Sequence, residues 1–484
     1  MNLYDKLLQY QSSEMYPFHM PGHKRRKDDF ANPFLIDITE IEGFDNLHHA
    51  EGILKDAQDR AAALYHSEET YFLVNGSTCG ILAAVSACTA RGGKILMARN
   101  CHKATYHAAY LRGLDIEYLY PEKEDIFGIN GGIHEDIVEK ALEEFQDIQA
   151  VMITSPTYDG VVSNVEKIAQ IVHRKGIPLI VDEAHGAHFG FHEYFPKSSV
   201  EMGADLVIHS LHKTLPSLTQ TALLHVNGNR VDRECLRRFL DIYQTSSPSY
   251  VFMAGMDSCV CLLEKRGGEL FESLRRNLEV FYKQTESLGC IYLANHGLMG
   301  KSGIHDFDRS KLVISARNAG FTGNQLANLL RNRYHLELEM AGGSYGLALT
   351  SISDTEEGFL RLSEALKEID ACLENKIEKN TEKSTLTIED IVIKNEVWCR
   401  IHEALESPGE SVLLEKAEGK ICREFVYLYP PGIPMLVPGE IISREVLGKI
   451  RRLVREGYSV QGMADYFAEH IQVMNTATFY RVIN

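Results

Sequence analysis

Four things are scarce in this 484-residue chain, and each shortage removes a class of function. Basic charge is scarce: 50 Lys and Arg stand against 67 Asp and Glu, a formal net charge of −17. That excludes a nucleic-acid binder working through a broad basic surface. Long apolar runs are missing, so no segment reaches the roughly 20 residues needed to span a bilayer. The opening stretch, MNLYDKLLQYQSSEMYPFHM, has no basic region leading into an apolar core, and no secretory signal is read there. Paired cysteines are missing too. The ten cysteines are scattered without a C-x-x-C pair, and only Cys259 and Cys261 are close. They read as reduced, mostly buried thiols of a cytoplasmic protein.

What remains is ordinary globular material, 44% hydrophobic and 24% charged, long enough for two or three domains. From residue 68 short β-rich runs alternate with helical patterns. ETYFLV, KILMAR, IEYLYP, AVMITSP, IPLIVDEA, ADLVIHS and TALLHV read as strands. GSTCGILAAVSACTA, HKATYHAAYLRG, HEDIVEKALEEF and VEKIAQIVHRKG read as helices. Such alternation predicts βαβ units and a mostly parallel sheet covered on both faces. Residues 250–288 predict one or two long helices. A smaller β/α pattern runs from SKLVISA at 311 to about 374. The polar, lysine-rich stretch 375–390 reads as a linker. YPPGIPMLVPGE (429–440), with four prolines, predicts a rigid non-helical loop.

Residues 178–192, PLIVDEAHGAHFGFH, allow three readings. The letters DEAH suggest the magnesium strand of a nucleic-acid motor. That motor needs an upstream phosphate loop, and the one near-match, NHGLMGKS (295–302), lies downstream with Asn295 where a glycine belongs. His185, His188 and His192 suggest a metal site, but Gly186 and Gly190 break the helix their spacing requires, and no cysteine is near. The sequence therefore predicts no metal. The third reading is a strand that delivers Asp182 to a cofactor. NGSTCG (75–80) joins a strand to a helix, where Ser77, Thr78 and backbone N–H groups can hold a phosphate. HSLHK places Ser210, His212 and Lys213 at the end of a later strand. Phosphate cradle, strand-end aspartate and strand-end lysine, in that order, are what pyridoxal phosphate requires.

FHMPGHK (18–24), NLHHAEG (46–52), NGSTCG, RNCHK (99–103), SPTYDG (155–160), VDEAHGAH, HSLHKTLPSLTQ and YPPGIPMLVPGE together resemble the ornithine/lysine/arginine decarboxylases of aspartate-aminotransferase fold, fold type I. The likeness runs from about residue 3 to 465 and is similar to the short form found as arginine decarboxylase in Gram-positive bacteria. It implies an N-terminal arm (1–30), a large pyridoxal-phosphate-binding domain with a mostly parallel seven-stranded sheet (31–290), a small α/β domain (291–380) and a C-terminal domain (381–484). Lys213 would form the Schiff base, Asp182 would pair with the pyridine nitrogen, Ala184 would pack on one ring face and His102 on the other. Ser77, Thr78, Ser210 and His212 would hold the phosphate, and TSSPSY (245–250) would reach it from a neighbouring subunit. Glu440 of PGE would receive the substrate's distal cation, with His185 lining the same pocket; His23 and Lys24 would lie near the site without an assigned role. Asn46 stands where an acidic residue is usual, and Asp159 where an apolar one is common.

The resemblance implies decarboxylation of a basic amino acid, arginine to agmatine before lysine or ornithine, in a cytoplasmic homodimer or larger homo-oligomer. Two alternatives stay open: a fold type I aminotransferase or lyase, and a catalytically silent subunit.

Overall fold

The computed structural model describes residues 2–26, 32–374, 392–428, 432–455 and 458–475. The stretch read as a linker, 375–390, and the first three residues of the proline-rich loop lie outside them.

Seven strands build the central sheet: β1 (Glu69–Leu73), β2 (Lys94–Ala98), β3 (Asp115–Leu119), β4 (Ile148–Thr154), β5 (Leu179–Asp182), β6 (Leu206–Ser210) and β7 (Ala222–Val226). Their spatial order is β1-β7-β6-β5-β4-β2-β3. β6, β5, β4, β2 and β3 pair parallel, while β7 runs against both β6 and β1. Every residue of β5, β6 and β7 is buried. A strand covered on both faces carries no polar alternation, so its sequence does not disclose its direction.

The helices that cover the sheet follow the expected chemistry. In Val165–Arg174, Val165, Ile168, Ala169, Ile171 and Val172 are buried on one stripe. Asn164 caps the start by accepting from Lys167 N at 3.3 Å. Glu166 in the first turn and His173 and Arg174 in the last complement the helix dipole. Strands and helices in this order bring the C-terminal ends of β4, β5 and β6 to one edge. Thr154 pairs with Asp182, and Asp182 with Ile208, so the register fixes which side chains meet there.

A four-stranded antiparallel sheet, in the order Tyr292–Leu293, Lys311–Ser315, Gly346–Leu349, Met340–Ala341, forms a second unit. It shares an apolar cluster with the helices Gly323–Tyr334 and Glu356–Glu374 and with one unbroken 36-residue helix, Tyr250–Thr285. The N-terminal strand Tyr16–Phe18 pairs with Leu336–Leu338 and so joins this unit. The arm is then pinned by Lys24. Its buried ammonium donates to Pro17 O and His19 O at 3.2 Å and to Leu349 O at 2.6 Å, with Asp354 3.7 Å away. Burial lowers the Lys24 pKa, and Asp354 opposes that shift. Three short sheet segments, Val426–Leu428, Ile433–Leu436 and Val460–Gln461, and the helix Arg444–Arg455 pack into a third cluster.

Candidate active site

The edge formed by β4, β5 and β6 opens into a cavity of about 560 Å³. Ser77, Thr78, His102, Asp182, Ala184, His185, Ser210, His212 and Lys213 all line it. The turn after β1 supplies the first two. Gly76 sits at φ +73°, a conformation that favours glycine, and lets the chain pass at once into the helix Gly76–Cys88. Ser77 Oγ then lies 2.6 Å from Ser210 Oγ, so the turn and the end of β6 meet across the sheet.

Lys213 follows β6 on a single helical turn, Leu211–Thr214. Its Nζ is 3.0 Å from His185 Nε2. Burial lowers the Lys213 pKa, and Asp182 and Glu339 push it back. The N-terminal arm presses on this turn: Gly22 N donates to His212 O at 2.7 Å, and a Cβ on Gly22 would come within 2.7 Å of Leu215 N. Asp182 is buried at the tip of β5, where it accepts from Ala184 N at 3.1 Å. Burial raises its pKa, opposed by Lys213 and that N–H.

The histidines of the cavity are held neutral. His102 caps the helix Lys103–Arg112, accepting from Ala104 N on Nδ1 at 3.2 Å. Burial, then Lys213, lowers it to about 3. His212, whose Nδ1 is 3.0 Å from Thr221 O, is lowered to about 4 by burial. His185 is held well below its ordinary value by burial and by Lys213.

Glu440 does not join this group, which corrects the expectation placed on it. It is buried at the seam with the third cluster and lines a different cavity, beside Tyr118, Tyr120 and Trp398. Its carboxylate accepts from Asn395 Nδ2 at 2.8 Å, Val437 N at 2.9 Å and Arg99 Nη2 at 3.4 Å. Arg99 also donates to Tyr106 Oη, Pro434 O and Met435 O. Burial of Glu440 raises its pKa, with Arg99 as the chief opposing charge.

The three histidines of the metal reading diverge. His185 faces Lys213; His188 meets Asp308 and Ser310 at 3.2 Å; His192 meets Glu272 at 3.2 Å. Lys301 of the loop NHGLMGKS is exposed in an irregular turn. Of TSSPSY, Thr245 N donates to Asn75 Oδ1 at 3.1 Å, and Ser249 caps the long helix. His23 lies in the turn after Gly22, where its Nδ1 accepts from Arg25 N at 3.1 Å.

The cavity also holds residues that the sequence did not single out for it: Asn100, Tyr158 and Glu339. Tyr158 and Asp159 stand inside the quoted SPTYDG, but Glu339 lies in HLELEM, where it looks like any alternating surface charge. Behind the cavity, fully buried Lys311 has Asp308 3.8 Å away and is lowered by burial to about 8. Burial pushes Asp308 up, but His188, Lys311 and Ser310 bring it down to about 2.

The family described as Orn/Lys/Arg decarboxylase, major domain, matches residues 1–294, and its C-terminal domain matches 399–455. An arginine decarboxylase of Bacillus anthracis is 32% identical over 98% of this chain and 97% of its own length. An arginine decarboxylase of Halalkalibacterium halodurans is 33% identical over 93% of this chain and 92% of its own. The crystal structure of a Francisella novicida lysine decarboxylase superposes with a TM-score of 0.77 at 19% identity, covering 97% of this chain and 80% of that one. The fold is thus that of the fold type I decarboxylases, and the chain belongs to the Orn/Lys/Arg decarboxylase family.

Proposed function

We propose that this decarboxylase removes the α-carboxylate of L-arginine, giving agmatine and carbon dioxide for polyamine synthesis, with pyridoxal 5′-phosphate as cofactor. The observation that carries the reading is the convergence of Lys213, Asp182, the Ser77–Thr78–Ser210 hydroxyls and two flanking residues, Ala184 and His102, on one cavity. The cavity suits the cofactor for a further reason. Asn100 Oδ1 and His185 Nδ1 are buried there without a partner among the described residues, as expected where a polar ligand completes the bonding.

Once bound, the cofactor supplies an electron sink conjugated to the substrate's α-carbon. The chain's own residues do the rest. Lys213, its amine shifted towards the neutral form by burial, would be the nucleophile that holds the cofactor. Asp182 keeps the pyridine nitrogen protonated, because a buried anion beside it favours the charged ring. Ser77, Thr78 and Ser210 hydroxyls and the His212 ring hold the phosphate at the helix N-terminus. Ala184 leaves room for one ring face, and neutral His102 covers the other and excludes water. His185 orients the Lys213 amine.

Arginine is favoured over lysine and ornithine because two relatives, 32% and 33% identical over 98% and 93% of this chain, carry that name. The enzyme acts in the cytoplasm, where ten free thiols stay reduced, and as a homodimer or larger homo-oligomer. Within its chain, the arm ends near residue 30, the large domain near 290 and the small domain near 380. A product assay with arginine, lysine and ornithine side by side tests the reading. Agmatine as the main product supports it. Cadaverine or putrescine as the main product moves the substrate, and a keto acid overturns decarboxylation.

A further inference from the structure

The cavity's carboxylates identify where a cationic side chain ends, and we infer that Glu339 receives the substrate's distal cation, the role that Glu440 is not placed to fill. This rests on the proposed decarboxylation of a basic amino acid. Among the described residues three carboxylates line the cavity: Asp159, Asp182 and Glu339. Asp182 lies at the tip of β5 and is committed to the ring nitrogen. Asp159 is buried and takes the Tyr345 hydroxyl. Burial raises it to about 6, so it holds its charge only weakly.

Glu339 differs from both. It is half-buried and sits between the strands Leu336–Leu338 and Met340–Ala341. Its two oxygens are aimed by fixed donors: Oε2 accepts from Met20 N at 2.8 Å, and Oε1 accepts the Tyr158 hydroxyl. An ionised carboxylate offers about four lone-pair sites, so two donors leave room for the two parallel N–H groups of a guanidinium. Among the described residues no cation lies within ion-pair distance of it, although Lys213, Lys24 and Lys311 all feel its field. A half-buried anion, held rigid and without a direct ion pair among the described residues, is an acceptor for a cation that arrives with the substrate.

The spacing also suits a long side chain. The Tyr158 ring packs edge-on against His185 with centroids 4.7 Å apart, and His185 Nε2 is 3.0 Å from Lys213 Nζ. Two aromatic rings in series therefore separate the Lys213 amine, where the α-amino group reacts, from the Glu339 carboxylate. The donors come from the N-terminal arm and the large domain, and the acceptor from the small domain, so a bound cation ties three parts of the chain together.

The test compares arginine with citrulline, its neutral isostere, on the cofactor-loaded enzyme. Glu339→Gln is expected to lower kcat/KM for arginine on the order of 10²-fold, mainly through KM. It should leave citrulline turnover and the cofactor absorbance unchanged. Glu440→Gln is expected to keep the arginine preference. A Glu339→Gln enzyme with the wild-type arginine-to-citrulline ratio overturns the inference. If that variant does not fold, the ratio is read on Glu339→Asp, where withdrawing the carboxylate by one methylene should cost arginine about tenfold and citrulline nothing. Equal losses for both substrates overturn it again. A wild-type enzyme that releases no carbon dioxide from arginine, lysine or ornithine would instead remove the functional reading beneath it.

Discussion

Two buried polar clusters meet at the segment Arg99–His102, and they are finished to different degrees. At the seam, Arg99 and Glu440 meet each other, a side-chain amide, a tyrosine hydroxyl and three backbone groups. The guanidinium also lies over Tyr106 and Tyr118, its carbon 5.6 and 5.3 Å from the ring centroids. In the cavity, among the described residues, Lys213 has one hydrogen-bonding neighbour, His185, whose second nitrogen has none. The Lys311 ammonium behind it has no hydrogen bond among the described residues either. The seam leaves Arg99 Nε and Asn395 Oδ1 open, but its two charges meet each other and stabilise the fold, whereas Lys213 has no carboxylate within ion-pair distance among the described residues and suits a ligand that completes its contacts. The contrast separates structural from chemical carboxylates better than burial does, since Glu440 and Asp182 are equally hidden.

The comparison can be broken at several points. Lys213→Ala is expected to reduce carbon dioxide release on the order of 10³-fold or more, while the unfolding midpoint hardly moves. A variant that kept the lysine-bound absorbance and still released carbon dioxide would end the reading of the cavity. Glu440→Gln should do the reverse. It leaves a buried guanidinium without its counter-charge and costs about 3–5 kcal/mol, read by urea unfolding. A stable variant with weakened arginine binding would return Glu440 to the substrate.

Asp182→Asn removes the anion proposed to face the ring nitrogen and should slow turnover by about 10²-fold with little change in KM. pH sharpens the comparison further. His102, His185 and His212 are held neutral in the folded chain but are ordinary histidines when unfolded. Their depressed folded values mean that the unfolded chain binds protons first. Stability should therefore be full above about 6.5 and fall as the pH drops from there towards 3 to 4. Arg99 stays charged throughout, so a double variant replacing His102 and His212 by glutamine should flatten that slope. An unchanged slope would assign it to groups outside the cavity. The smallest effect is expected at His192, half-buried and paired with Glu272: His192→Ala should leave both activity and its response to added zinc unchanged.

The cavity was largely legible in the sequence because its residues follow strand ends. Asp182 closes an apolar run, Lys213 follows another, and Ser77–Thr78 open a helix after a third. Each carries a local signal, and the parallel sheet aligns them. Glu440 carried a signal of the wrong kind. Its proline-rich loop looks designed for ligand contact, yet its main counter-charge, Arg99, stands 341 positions away and only the folded chain brings them together. Glu339 gave no signal at all, since one glutamate in an alternating strand is commonplace. The same holds for β7, whose buried residues fit either direction, and for the long helix, where one element and two would share a periodicity.

Gly22 gives the N-terminal arm a mechanical meaning. Its α-carbon rests against Thr214 and Leu215 with no clearance, while Lys24, two residues on, anchors the arm to the small domain. The arm is thus a strap across the turn that carries Lys213, the residue proposed to form the Schiff base. A single added methyl at position 22 would act as a wedge, displacing the Lys213 amine from a position outside the cavity lining.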